Sequence, residues 1–203
     1  MTVLLFTMAV SAKDGNWAIF GQTVPSPEQD DTFTSGSGVM GQYRIPVADD
    51  LQLGFLLGIN QWNAETYRLN NGRFLSMKVA GDVTDLSIGA ALIYKLPIAT
   101  PEGLNLAAEL GIVHHVLSSD VEAQIYTHQF GLSNELEFDD LTTLGIGLNV
   151  EWIVQKDITA LAGVGYQWDI LDKENVKLAG FDTGLRNGLE GVVLKFGIVI
   201  KTP

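Results

Sequence analysis

The chain has 203 residues, enough for one domain, and carries 24 acidic against 12 basic residues for a net charge of −12. That balance excludes nucleic acid as a partner, because holding a phosphate backbone needs Lys/Arg patches. It has no cysteine, which excludes disulfides, thiolate nucleophiles and thiolate metal sites. Apolar residues make up 46% of the chain without any run long enough for a spanning helix, so hydrophobicity is spread over many short segments.

Residues 1–12 resemble the apolar region of a secretory signal that ends in small residues at Val10-Ser11-Ala12, although no basic leader precedes it. The expected division is a signal remnant at 1–12 and a single β domain at 13–203. The alternative is an extra strand turning at Lys13-Asp14-Gly15-Asn16, where Asp-Gly is a hairpin signal. From there the alternation of bulky apolar with polar or tiny residues predicts strands at 15–24, 38–46, 51–62, 85–96, 103–116, 142–154, 158–169 and 189–201.

The connections alternate in length. Those at 46–50, 97–103 and 155–157 are short, whereas 25–38, 63–85, 117–141 and 170–188 are long and polar. Short turns at one end and long loops at the other are the layout of an antiparallel up-and-down transmembrane β-barrel. Two strand-like pieces inside the loops, 73–79 and 122–130, lack the apolar face that lipid requires. They are expected to prolong barrel strands beyond the membrane, leaving eight strands; a ten-stranded barrel is the alternative.

The strand faces carry the argument for a membrane. On the third strand Leu51, Leu53, Phe55, Leu57 and Ile59 oppose Gln52, Gly54, Leu56, Gly58 and Asn60. The fifth sets Leu104, Leu106, Ala108, Leu110 and Ile112 against Asn105, Ala107, Glu109 and Gly111. The sixth sets Leu144, Ile146, Leu148, Val150 and Trp152 against Gly145, Gly147, Asn149 and Glu151, and the last sets Val192, Leu194, Phe196, Ile198 and Ile200 against Gly191, Lys195 and Gly197. No charge falls on an apolar face, as a lipid-exposed surface demands. A soluble lipocalin-like barrel would turn the apolar face inward and fill the other with Lys, Glu and Thr, but here that face is rich in glycine.

An eight-stranded barrel encloses a space its own side chains can fill. Arg44, Lys95, Glu109, Glu151 and Lys195 are the candidates for an interior charge network, with Gln42, Gln52, Asn60, Asn105 and Asn149 as polar filler. Tyr43, Tyr94 and Trp152 lie close to the short turns, and Trp62, Tyr166 and Trp168 lie toward the long loops. These six are the candidate interfacial aromatic girdle.

The pattern from Lys13 to Lys201 resembles the small eight-stranded outer-membrane β-barrel family of Gram-negative bacteria, the type found in the membrane domain of outer membrane protein A. Gly-Asn-Trp-Ala-Ile-Phe-Gly, Ala-Glu-Leu-Gly-Ile-Val and Ala-Gly-Val-Gly-Tyr-Gln-Trp look like strands of that family. Gly191, Leu194 and Phe196 fit its C-terminal assembly signal, although seven residues follow the aromatic where the family chain usually ends. The resemblance implies an outer-membrane location, contact with outer-membrane lipid and lipopolysaccharide, passage through the barrel-assembly machinery, and a monomer. The family includes anchors, adhesins, small pores and lipid-modifying enzymes, so fold does not choose among them.

His114, His115, Ser118, Ser119 and Asp120 form a cluster with nucleophile–base character, and lipid A deacylases of this family work with a His–Ser–Glu triad. The His114–Ser118 spacing departs from the His-x-Ser pattern those enzymes show, so the expectation is two interfacial histidines followed by a polar loop and no catalytic residue. His128 stands alone, and Glu135, Glu137, Asp139 and Asp140 lack calcium-loop spacing. Gly36-Ser37-Gly38 belongs to no nucleotide-binding unit. No metal site or cofactor is expected. The expected function is a structural or surface-interaction role in the envelope; a small pore for polar solutes and a lipid A-modifying enzyme are the alternatives.

Overall fold

The structure, a computed structural model, describes residues 15–24, 33–64, 76–126, 131–170, 175–178, 181–186 and 188–202. The signal-like residues 1–12 lie outside that set, as does His128. Twelve strands are formed: β1 (Asn16–Val24), β2 (Phe33–Ala48), β3 (Leu51–Ala64), β4 (Ser76–Lys95), β5 (Leu104–Ser119), β6 (Glu122–Tyr126), β7 (Gly131–Glu137), β8 (Leu141–Gln155), β9 (Ile158–Asp169), β10 (Asn175–Leu178), β11 (Phe181–Arg186) and β12 (Gly191–Lys201).

Eight of them close a ring. The order β1-β2-β3-β4-β5-β8-β9-β12 returns to β1 through antiparallel pairing of Asn16–Thr23 with Leu194–Lys201. Each ring strand therefore hydrogen-bonds on both sides and leaves no open edge, the condition for a sheet to stand in hydrocarbon. The three short connections gather at one end of the ring. In the longest of these, Gly103 takes φ of +82°, a left-handed conformation that a Cβ would disfavour, and its carbonyl accepts from the Ile153 amide of β8 at 2.8 Å.

The long-loop end differs from the sequence expectation. The first five residues of β4 run past the ring and pair with β6, which pairs with β7, then β10, then β11. From Ser76 and up to Tyr126, the two strand-like loop pieces are thus extensions outside the ring, which stays eight-stranded. The strands β7, β10 and β11 fall in stretches expected to be irregular loop. They are too short for a period of two to stand out, and they are held by pairing with a neighbouring strand and, for β7 and β10, by Leu136 and Val176 buried over the lumen.

The side chains are arranged inside out. Leu57, Leu148 and Phe196 are 60%, 55% and 63% exposed on the outer wall, whereas Arg44 and Glu109, inside, are 1% and 8% exposed. This is the lipid-facing orientation and not the lipocalin one. The glycines of the inner wall make room for long neighbours: a Cβ at Gly58 would meet the Met40 sulfur, at Gly163 the Asn149 amide, and at Gly36 the Trp62 ring.

The lumen is less polar than its glycines and ions suggested. Ala18, Phe20, Met40, Leu56, Ala91, Ile93, Ala107, Leu161 and Val199 form a buried apolar cluster within the ring. A second cluster closes the loop end, where Val121, Leu136, Val176 and Leu189 from outside the ring strands pack on Val24, Trp62, Val83 and Val193. Inward side chains in so narrow a barrel meet one another across the axis, so apolar inward positions cost nothing. If the outer wall faces hydrocarbon, Leu148→Arg should destabilise the protein by about 2–4 kcal/mol in urea unfolding from lipid vesicles. An unchanged midpoint would refute the assignment.

Candidate functional site

Strand alternation fixes which side chains enter the lumen. On β2, Gln42 and Arg44 point in and Tyr43 points out; on β5 Ala107, Glu109 and His115 point in; on β8 Thr143 and Asn149 do so, with Glu151 following the same alternation. Ionisable residues from distant parts of the chain are brought together as three pairs, two of them Lys/Arg–Glu ion pairs and the third an aspartate–histidine contact.

Nearest the short turns, Arg44 Nη1 lies 2.5 Å from Glu151 Oε1, and Arg44 Nε donates to Gln42 Oε1 at 2.7 Å. This pair forms the floor of a cavity of about 220 Å³ lined by Lys95, Lys201, Asp49 and Asp50. Lys95, placed by sequence in the interior network, is exposed at this mouth. It ends β4 at the turn, where its chain reaches water.

Midway, Lys195 Nζ donates to Glu109 Oε1 at 3.0 Å and Asn149 Nδ2 donates to Glu109 Oε2 at 2.7 Å. The Lys195 ammonium also sits 5.4 Å from the centre of the Phe20 ring, a favourable place for a cation over an aromatic face.

The third pair lies under the apolar cluster at the loop end. His115 Nδ1 is 2.9 Å from Asp85 Oδ2, and its Nε2 is 3.0 Å from Thr143 Oγ1. Asp85 also accepts from Asn60 Nδ2 at 2.9 Å, from Trp62 Nε1 at 3.3 Å and from Ser87 Oγ at 3.0 Å. Gln22 extends the network by donating to Asn60 Oδ1 at 2.9 Å. A cavity of about 60 Å³, lined by Gln22, Glu109, His115, Thr143 and Lys195 among others, separates the upper and middle pairs. It has room for a few ordered waters.

Sequence reasoning missed Asp85 and His115. The sequence pattern sets Asp85 at the boundary between the loop 63–85 and the strand 85–96, whereas β4 begins nine residues earlier, and it places His115 with interfacial histidines. Parity carried the signal: Asp85 falls on the face of Ser87, Ala91 and Ile93, and His115 on that of Ala107 and Glu109. His114, one residue earlier, is exposed and bonds Thr142 Oγ1 at 3.1 Å. Ser118 lies roughly 13 Å further along the strand, too far to act with it. Among the described residues no group of three His, Asp or Glu is placed to hold a metal ion.

The aromatic residues divide the same way. Tyr94 and Trp152 are exposed on the outer wall near the short turns, and Tyr43 there packs against Trp17 with ring centres 4.9 Å apart. Tyr166 and Trp168, 6.2 Å apart, share the outward ladder rows of Ile146 and Leu144. Trp62 is a correction to the girdle. It is 1% exposed and fills the lumen, because it keeps the inward parity of Leu56, Gly58 and Asn60. On β12 Phe196 projects outward from the barrel wall and Leu194 shares the outward ladder row of Val164, while Gly191 opens the strand.

Removing one member of a buried pair leaves the other uncompensated, so Glu109→Gln or Lys195→Met alone should cost about 3–5 kcal/mol in urea unfolding from lipid vesicles. The double variant should recover most of that loss; additive losses would show that the pair is not coupled.

No protein-family profile matches the chain, and no curated protein does. Among solved structures it is similar to a major outer membrane protein from Thermus thermophilus, with 13% identity and a TM-score of 0.56 over 93% of this chain and 99% of that one. It also aligns with Neisserial surface protein A (16% identity, TM-score 0.49, 94% and 97% coverage). A third alignment is with the N-terminal β-barrel domain of OprF from Pseudomonas aeruginosa (14% identity, TM-score 0.47, 94% and 98% coverage). At these identities the likeness concerns architecture alone. The closed eight-stranded antiparallel ring, apolar outside and ion-paired inside, is the fold of the small outer-membrane β-barrels.

Proposed function

We propose that this chain is a bacterial outer-membrane protein with a structural or surface-interaction role exerted at its long-loop end, and that it is not a pore. The observation that carries this reading is the apolar closure of the lumen, where Trp62, Leu136, Val176 and Leu189 are each no more than 1% exposed. Water and ions cross a barrel through continuous polar space, and here a dry layer interrupts it. Beneath that layer the polar groups are already engaged in pairs, which is how a narrow barrel stabilises itself.

Beyond the ring, the sheet built from the start of β4 with β6, β7, β10 and β11 gives the loop end a paired framework on which polar and acidic side chains such as Asp120, Glu122, Glu137 and Asp140 are exposed. Loops held by a rigid scaffold are where binding functions concentrate. In this reading outer-membrane lipid covers the outward rows and lipopolysaccharide lies against the loop-end rim. The barrel-assembly machinery engages Gly191, Leu194 and Phe196, and the protein works as a monomer after loss of residues 1–12.

Two measurements test the proposal. Unboiled protein from the membrane fraction should migrate as a compact, heat-modifiable band in electrophoresis; a purely soluble band would end the outer-membrane reading. In planar bilayers the purified protein should give no discrete conductance steps at neutral pH, with Lys195→Met equally silent. Steps that change with Lys195→Met would establish the pore instead.

A further inference from the structure

Two neighbouring outward rows of the barrel wall enclose a groove. The lower row, nearer the short turns, runs through the ladder partners Leu51, Tyr94, Ala108, Leu148 and Val164 on β3, β4, β5, β8 and β9. The upper row runs through Leu92, Leu110, Ile146 and Tyr166 on β4, β5, β8 and β9. Between the rows the floor is the backbone of Glu109, Gly147 and Gly165, ladder partners of inward parity. Ala108 opens the space: its ladder partners on either side are Tyr94 and Leu148, and a methyl between two large side chains leaves a notch in the wall. The groove holds about 780 Å³, and no charge lines it, since the Glu109 carboxylate turns inward to Lys195.

Its course is oblique, because ladder rows run across the strands and the strands of a barrel are tilted. It starts at the short-turn rim, where Leu51 opens β3 and Tyr94 stands one residue from the end of β4. On β9 it has climbed to Val164, about 20 Å along the strand from its short-turn end. The two ends differ. At the upper end the Tyr166 hydroxyl donates to Glu190 Oε1 at 3.1 Å, which fixes that ring as a stop. At the lower end Tyr94 is 44% exposed beside the rim.

We infer that this groove seats one acyl chain of a phospholipid from the leaflet at the short turns, with its head beside Tyr94 and its methyl end toward Tyr166. A hydrocarbon chain is the occupant because the groove continues the wall that meets lipid, and between its two tyrosines it offers a ligand no polar side chain. Its volume falls within the range of about 300–1,000 Å³ in which a site encloses one small ligand. The short-turn leaflet supplies the chain because the groove meets the interface at that end, whereas Tyr166 and Glu190 stop it below the loops. A tyrosine at the interface gives its ring to the chains and its hydroxyl to the headgroups. The inference rests on the reading that the outward rows meet lipid and adds to it a preferred seat.

The test uses the full chain, methyl-labelled at Ala, Ile, Leu and Val, in nanodiscs of phosphatidylethanolamine and phosphatidylglycerol doped with a phosphatidylcholine that carries a nitroxide on its acyl chain. Relaxation enhancement at the Leu110, Ile146, Leu148 and Val164 methyls should exceed that at the outward Ile19, Val39 and Leu57 methyls across the ring by about threefold or more, as a site preferred over bulk lipid contact gives. Moving the nitroxide from near the headgroup to the chain end should shift the excess from Leu51 and Leu92 to Ile146 and Val164. Ala108→Phe should remove the excess and leave the control methyls unchanged; Ala108→Leu is the milder filler where the first variant gives no heat-modifiable band. Equal enhancement at groove and control methyls would overturn the seat while leaving lipid contact intact. No enhancement at either set would sink both the seat and the lipid-facing reading. Overhauser effects between the groove methyls and a differently labelled second barrel would replace the lipid by another copy of the chain, and the seat would fall.

Discussion

A backbone that crosses hydrocarbon must satisfy its N–H and C=O groups within the protein, and every other feature of this structure follows from that constraint. Closure of β1 onto β12 meets it for the ring strands. Once the ring is closed, alternation along each strand sorts side chains into two populations that never mix. One row meets lipid and must be uncharged; the other meets the axis and must fill a narrow space. Long inward groups require small inward groups opposite, so Met40 lies over Gly58 and Asn149 over Gly163.

The lumen turns this packing problem into an electrostatic one. Charges taken from water are tolerable only with partners, and the three pairs, Arg44–Glu151, Glu109–Lys195 and Asp85–His115, each bring together groups from different strands. They are stacked along the axis with apolar side chains between and above them. The result is a column open to water at the short-turn mouth and sealed at the other end. That polarity is what the proposed loop-end role rests on.

The loop end is also where local and long-range forces part company. The strands β6, β7, β10 and β11 are four to seven residues long, too short to stand as strands alone. They exist because β4 overshoots the ring and offers β6 a free edge, and each added strand offers another. The same overshoot lets Val121, Leu136, Val176 and Leu189 fold back over the lumen.

The all-β class, the eight ring strands, the end at which the turns are short and the face that meets lipid were all legible in the order of the residues. These are written in alternation with a period of two, a local property that survives without knowledge of neighbours. The same alternation contained the inward parity of Arg44, Glu109, Glu151 and Lys195, but not who pairs with whom. The partners lie up to 107 residues apart, as with Arg44 and Glu151, and only ring closure brings them together. It took the folded chain to establish that Lys95 reaches water and that Trp62, Asp85 and His115, inward by parity, end up buried at and beneath an apolar closure. Those outcomes depend on how far each strand runs past the membrane and on what folds across its end, and no periodicity records either.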